Sequence, residues 1–185
     1  MILVVAATGR ELVHVNGAET LVCGIGPVEA ALATAKRLTP GTVEKPVDAI
    51  LHVGIAGAAS LPTSTLVIGS EAVYCDVLDK ASTIPRVERV SADQALVERA
   101  RRALPDALVL PIATTARVGG GIECEVEAME GFGVLRAAEL AAVPAVEVRA
   151  VSNAVAEADR TRWATAEALE ALGAALPPLL AELDA

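Results

Sequence analysis

Apolar residues fall in short blocks along the chain, and the spacing within each block predicts an element. Ile2 to Ala7 is a β-branched run without polar alternation, as in strands covered on both faces. Leu12 to Cys23 carries Asn16-Gly17 between two apolar runs and predicts a β-hairpin. From Pro27, the residues Val28, Ala31, Leu32, Ala35 and Leu38 recur at helical spacing until Pro40-Gly41 stops them. Asp48 to Ile55 and Leu66 to Val77 are further strand-like runs, the first ended by Gly54 and Gly57. Ala92 to Leu104 predicts an amphipathic helix charged at Glu98, Arg99, Arg101 and Arg102. Leu108 to Ala113 predicts a strand, Glu123 to Ala142 a helix and Ala145 to Val151 a strand. Arg160 to Leu183 predicts one or two closing helices interrupted at Pro177-Pro178.

Alternating strands and helices define an α/β class: a largely parallel sheet covered on both faces, or one partly closed into a barrel. A chain of 185 residues suits one domain over 1–185. In such a sheet ligands gather at the carboxyl ends of strands, here the positions after Ala7, Cys23, Val53, Ala113 and Val151.

The charge balance narrows the partners. Fifteen Lys and Arg against 24 Asp and Glu leave a net charge of −9, which disfavours nucleic acid and anionic membrane surfaces. Cys23, Cys75 and Cys124 form no CxxC or His-bearing cluster, and an odd count argues against a disulfide framework, so a reduced, cytoplasmic setting is expected. The apolar amino terminus lacks a basic leader region, and the uncharged stretch from Ala49 to Ser70 is broken by glycines, Pro62 and hydroxyls, so no transmembrane helix is expected. His14 and His52 are too isolated for a metal site or a triad and read as structural.

Four segments could carry chemistry. Gly24-Ile25-Gly26 ahead of Pro27 is either a partial dinucleotide fingerprint or a tight turn that brings backbone amides close to a ligand. Gly54-Ile55-Ala56-Gly57 could admit a planar ligand or a ribose, or could serve packing. In Glu127-Ala128-Met129-Glu130-Gly131-Phe132, Met129 and Phe132 share a helical face and Glu130 lies beside it; core packing and a favourable helix dipole are the plain alternative. In Val148-Arg149-Ala150-Val151-Ser152-Asn153, Arg149 needs an anionic or carbonyl partner within an apolar strand. Ser152 and Asn153 stand where a ligand would sit, or Asn153 caps the next turn.

Taken in order, these segments, together with the strand Ile68-Gly69-Ser70-Glu71-Ala72-Val73-Tyr74, resemble the nucleoside phosphorylase and nucleosidase superfamily. The likeness is to its hydrolytic branch of methylthioadenosine/adenosylhomocysteine nucleosidases and futalosine hydrolases. It implies a three-layer fold with a mixed, largely parallel, partly barrel-like sheet, no cofactor and no metal, and a homo-oligomer, dimer or tetramer. The futalosine hydrolases are nearest, because Asn153 stands where adenine-specific nucleosidases carry Asp and is followed by Asp159-Arg160 and Trp163. An amide can offer its NH2 to the O6 of hypoxanthine and its oxygen to a protonated N7, which a carboxylic acid does less well.

The activity the resemblance implies is hydrolysis of the N-glycosidic bond of futalosine, which releases hypoxanthine and dehypoxanthine futalosine in menaquinone biosynthesis. Glu130 would hold ribose hydroxyls with Met129 beside the sugar, Glu11 would orient and deprotonate the water, and Asn153 would read the base. Gly57 and Ser152 would line the substrate pocket. Phe132, one of three aromatics with Tyr74 and Trp163, is a candidate to stack on the purine, as are aliphatic side chains or a neighbouring subunit, and Arg10, Arg117 or a partner subunit could meet the carboxylate of futalosine's 5′ chain. Glu11 as a plain surface residue, a phosphorolytic relative, a methylthioadenosine nucleosidase, a purine-binding protein and a dinucleotide-dependent oxidoreductase are the competing readings.

Overall fold

The computed structural model describes residues 1–41, 45–77, 83–119 and 124–184. Eight strands form one sheet: β1 (Ile2–Ala6), β2 (Glu19–Val22), β3 (Ala49–Ala58), β4 (Leu66–Tyr74), β5 (Arg89–Ser91), β6 (Leu108–Thr114), β7 (Val126–Ala128) and β8 (Ala145–Ala154). Among the described residues four α-helices pack around it: α1 (Pro27–Leu38), α2 (Gln94–Ala103), α3 (Gly131–Leu140) and α4 (Thr165–Leu183).

The sheet closes on itself. β3 pairs parallel with β8, β8 antiparallel with β4, β4 parallel with β6, β6 parallel with β7, and β7 antiparallel with β3, which completes a five-stranded barrel. β1 and β2 extend in parallel from β3, and β5 lies antiparallel on β4. The α/β class with a mixed, partly barrel-like sheet is therefore the observed architecture. β1 is buried at every position, as its unbroken apolar run requires.

Three expectations are corrected. There is no hairpin over Leu12 to Cys23: β2 runs parallel to β1, and parallel neighbours need a crossover rather than a two-residue turn. Asn16-Gly17 does form a bend, with Asn16 donating to the His14 carbonyl at 3.2 Å and Gly17 at φ +78°, but it sits inside the crossover after a 3-10 turn over Gly9–Leu12. The helix expected over Glu123 to Ala142 is shorter. Glu123 lies outside the described residues, Val126–Ala128 is the strand that closes the barrel, and α3 starts only at Gly131. Pro177 and Pro178 do not break α4. Both face solvent, while Ala168, Leu172, Ala175, Leu176, Leu179 and Leu183 form one continuous buried stripe. Burying each of these leucines contributes roughly 2 kcal/mol, against roughly 3 kcal/mol lost per interior proline. The short edge strand β5 lies outside the expected elements, its three residues carrying too little pattern to be read as a strand.

Helix α3 approaches α1 closely because position 133 has no side chain. A Cβ at Gly133 would lie 2.5 Å from the Pro27 carbonyl oxygen and 3.0 Å from the Ala31 nitrogen, both backbone atoms that cannot swing aside. Gly133→Ala is expected to destabilise the protein by about 2 kcal/mol. Gly9→Ala, which meets nothing within 4 Å, should be close to neutral. Urea unfolding of the two variants checks this, and equal midpoints would show that the α1–α3 approach is not tight.

Candidate active site

The site begins with the alternation of β8 against β3. In these parallel strands His52 stands opposite Glu147 and Gly54 opposite Arg149, so all four positions share one face of the sheet. Glu147 and Arg149, two residues apart, pair directly through Nε to Oε1 at 2.7 Å. Gly54 has no side chain, and its neighbours fill the space. A Cβ there would collide with the Arg149 guanidinium and come within 2.8 Å of a Glu11 carboxylate oxygen.

Arg149 is fully buried and its donors are distributed. Nη1 donates to the Ile55 carbonyl at 3.4 Å, and Nη2 to Glu130 Oε2 at 3.4 Å and to the His52 ring at Nε2 at 3.1 Å. The surrounding carboxylates Glu147, Glu130 and Glu11 outweigh the desolvation of the guanidinium and hold it protonated. Burial pushes the Glu147 carboxyl above its ordinary range, against the pull of Arg149. Burial, followed by the positive charge of Arg149, depresses His52 well below its usual value, so the imidazole is neutral and accepts a hydrogen bond. His52 is thus structural, as expected.

Glu130 and Glu11 are held from opposite sides. Glu130, the residue before α3, accepts from the Gly26 amide at 3.1 Å through Oε1. That amide is presented by a turn in which Gly24 and Gly26 have φ of +83° and +93°, the region glycine tolerates. The glycine pair therefore serves a close backbone approach to a side chain. Glu11 Oε2 accepts from the Thr8 amide at 2.9 Å and the Thr8 hydroxyl at 3.0 Å, while Oε1 accepts from the Ile55 amide at 3.3 Å. Glu11 is buried, so its reading as a surface residue is excluded.

Asn153 sits beside a register shift. Ala56 pairs with Val151 but Gly57 pairs with Asn153, so Ser152 is the extra residue of a bulge. The Ser152 hydroxyl, with one proton, lies 2.7 Å from Asn153 Oδ1 and 3.1 Å from the Ala56 carbonyl. Asn153 Nδ2 donates to the Ala154 carbonyl at 3.0 Å, which leaves one amide proton and one oxygen lone pair for a ligand. A Cβ at Gly57 would press to 3.1 Å on that Nδ2 and on Val155.

These groups open onto one cavity of about 510 Å³, ample for a nucleoside. It brings together Glu11, Gly57, Met129, Glu130, Ser152 and Asn153 as expected from the sequence. Phe132 does not line it: its ring stacks on Tyr74, with centroids 5.0 Å apart and planes at 18°. The third aromatic, Trp163, lines the cavity instead, together with Arg10 and Arg117, which the sequence offers for the 5′ chain, and with Glu127 and Arg160, to which it assigns no role. Cys23, buried behind the glycine turn, is pushed up to about 12 by desolvation and by the Glu130 charge, so it is no nucleophile. Among the described residues no cluster of His, Cys, Asp and Glu is arranged to hold a metal ion.

A cavity whose floor carries paired carboxylates around a single arginine, and whose wall offers an amide, suits a reaction that develops positive charge on a sugar beside a departing base. The comparisons agree with that reading. The phosphorylase superfamily model matches residues 13–181, and the chain belongs to that superfamily. Within it, the chain is 32% identical to the futalosine hydrolase of Streptomyces coelicolor, over 91% of this chain and 81% of that protein. A futalosine hydrolase mutant of Helicobacter pylori superposes with a TM-score of 0.85 at 16% identity, covering 98% of each chain. The MTA/SAH nucleosidase of Streptococcus pneumoniae, in complex with 8-aminoadenine, superposes with a TM-score of 0.82 at 21% identity, covering 97% of this chain and 98% of that one. Among the described residues no helix is long and apolar enough to cross a membrane.

The neutral His52 makes stability depend on pH in a definite direction. A histidine whose folded pKa lies below its unfolded value near 6.5 contributes stability that is complete above 6.5 and is lost as the pH falls toward the folded value. Part of this stability is lost between pH 7.5 and 5.5, and Glu147, shifted upward, works against the loss over the acid end of the range. His52→Gln keeps an acceptor for Arg149 but cannot titrate. Urea unfolding at the two pH values should therefore show a smaller acid loss in the variant than in the parent; an equal loss would mean His52 is not held neutral.

Proposed function

We propose that the protein is an N-glycosyl hydrolase that cleaves futalosine, a hypoxanthine nucleoside whose 5′ carbon carries a benzoate-bearing chain, to hypoxanthine and dehypoxanthine futalosine. The observation that carries the reading is the convergence of Glu11, Glu130 and the Asn153 amide on one cavity. The 32% identity to the Streptomyces coelicolor enzyme supports the substrate.

Glu130, fixed by the Gly26 amide and Arg149, binds the ribose hydroxyls, and Met129 packs beside the sugar. Glu11, fixed by Thr8 and the Ile55 amide, orients the water. As the bond from C1′ to the base nitrogen breaks, its electron pair leaves with the purine. The water oxygen bonds to C1′ and Glu11 takes the water proton. Glu11, Glu130 and Glu147 outnumber the single buried guanidinium, so the sugar cation forms in a field of opposite sign. The free N–H of Asn153 faces O6, and its oxygen accepts a hydrogen bond from N7–H once solvent has protonated the departing purine at N7.

Phosphorolysis is disfavoured by the same electrostatics. Arg149 already spends its donors on Glu147, Glu130, His52 and the Ile55 carbonyl, and the floor would repel a phosphate. Chromatography of products from futalosine, inosine, methylthioadenosine and adenosylhomocysteine, with and without phosphate, tests the assignment. Free hypoxanthine from futalosine without phosphate is expected, and ribose 1-phosphate would reverse it. Glu130→Gln and Glu11→Gln should each lower turnover by about a hundredfold or more in folded protein. Asn153→Asp should move preference toward 6-aminopurines, and unchanged selectivity would remove Asn153 from base reading.

A dimer also fits this surface. Val13, Val22, Ile25, Val28 and Leu32 are all more than half exposed along one stretch of the chain, and Ile25 reaches the cavity. Light scattering should give twice the 18.8 kDa chain mass. A monomer would leave that apolar surface unexplained.

A further inference from the structure

We infer that Glu147 is a positioning residue for the hydrolysis: it holds the Arg149 guanidinium back from the cavity and so leaves the Glu130 carboxylate open to the hydroxyls of the sugar. The inference rests on the hydrolase reading and adds to it a residue outside the cavity.

Glu147 is buried within β8, and neither it nor His52 lines the cavity, whereas Arg149, Glu130, Glu11 and Ile55 do. The guanidinium therefore has a rear side, toward Glu147 and His52, and a front side, toward the cavity. Its bonds are unequal on the two. At the rear, Nε donates to Glu147 Oε1 at 2.7 Å and Nη2 to His52 Nε2 at 3.1 Å. At the front, Nη2 reaches Glu130 Oε2, and Nη1 the Ile55 carbonyl, only at 3.4 Å each. A charge-assisted bond at 2.7 Å is strong, and one stretched to 3.4 Å is weak. The arginine is thus held tightly by the carboxylate that stays clear of the cavity and loosely by the one that lines it.

Two further features tie Glu147 to that spacing. Its carboxylate abuts Gly131, where a Cβ would strike it, and Gly131 begins α3 directly after Glu130. Glu147 therefore touches the guanidinium on one side and the helix start that follows Glu130 on the other. Its Oε2 is buried without a hydrogen-bond partner among the described residues, a loss of stability that an apolar residue of similar volume would not incur. The guanidinium and Glu11 both border the place where a side chain at Gly54 would stand, so no side chain separates them. Without the Glu147 charge, the guanidinium would close on Glu130 and Glu11, since attraction between opposite charges is strongest where water is shut out. A full ion pair would occupy the oxygens that the ribose hydroxyls and the water need.

The test compares futalosine with its 2′-deoxy and 3′-deoxy derivatives, which keep the base and the 5′ chain and each lack one hydroxyl. Glu147→Gln is close in shape and keeps an acceptor for Nε but removes the charge. It is expected to lower kcat for futalosine by about tenfold with a smaller change in KM, because contacts to the sugar strengthen as the bond breaks. It should also shrink the preference for futalosine over the poorer of the two derivatives by about fivefold or more in kcat/KM. The intrinsic reactivities of the nucleosides cancel when variant is compared with parent. Glu147→Asp keeps the charge on a shorter arm and should fall between the two; it decides on the same ratio where circular dichroism shows Glu147→Gln unfolded. Added to Glu130→Gln, Glu147→Gln should lower turnover little further, as for residues that act through one another. Equal losses on all three nucleosides, an unchanged kcat in folded Glu147→Gln, or a full additional loss on top of Glu130→Gln would overturn the role of Glu147 while leaving the hydrolase intact. Hypoxanthine release from none of the three by the parent would instead overturn the hydrolase reading.

Discussion

One buried guanidinium organises this molecule. Arg149 sits inside the sheet, out of water, and a charge placed there is tolerable only if nearly every donor finds an acceptor. The acceptors are Glu147 on its own strand, His52 and the Ile55 carbonyl on the neighbouring strand, and Glu130 at the start of α3. Three segments far apart in sequence are thereby fixed to one point. The arrangement also depends on an absence: Gly54 opposite Arg149 leaves the room the guanidinium occupies, and Gly131 does the same for Glu147, whose carboxylate a Cβ at that position would strike.

Closing the barrel turns this fixed point into a cavity. β7 is only three residues long, yet it joins β6 to β3 and sets Glu127 opposite Gly57. Directly after it come Met129 and Glu130, so two residues that line the cavity follow the strand that shuts the ring. The Thr114 hydroxyl at the end of β6 accepts from the Phe132 amide at 2.8 Å and so anchors the first turn of α3. Glu130 is consequently held by a helix start, a glycine-turn amide and an arginine, and its carboxylate is oriented before any substrate arrives.

Much of this was legible in the sequence because apolar runs and glycines are local signals. The strands β1, β3, β4, β6 and β8 and the helices α1 and α2 stand where their patterns put them, within a few residues. The Asn16-Gly17 signal failed because a turn motif states only that the chain bends. Whether the flanking runs then pair is decided by β1, which accepts β2 in parallel. β7 was hidden because Val126–Ala128 is too short for alternation to show and is followed at once by helix. Pro177 and Pro178 misled because local propensity was weighed without the buried leucine stripe on the opposite side of α4. Glu11, Glu130, Ser152 and Asn153 were found through an ordered set of short motifs. Phe132 was misplaced because helical spacing does not say which side of α3 meets the cavity, and the ring went to Tyr74. That Arg160 joins Arg10 and Arg117 at the cavity lies beyond linear reading, since it depends on loops after β1, β6 and β8 meeting in space.

The two sides of the cavity are built differently. Glu11 and Glu130 are buried beside packed strands and the barrel seam, whereas Arg10, Arg117 and Arg160 are exposed on the turns that follow β1, β6 and β8. A contact made equally in a bound substrate and in its transition state lowers KM without accelerating bond cleavage, so groups on the exposed side can assist chemistry only by aligning what the buried side holds. In the hydrolase reading proposed above, chemistry therefore belongs to the sheet and selectivity to the loops that follow it.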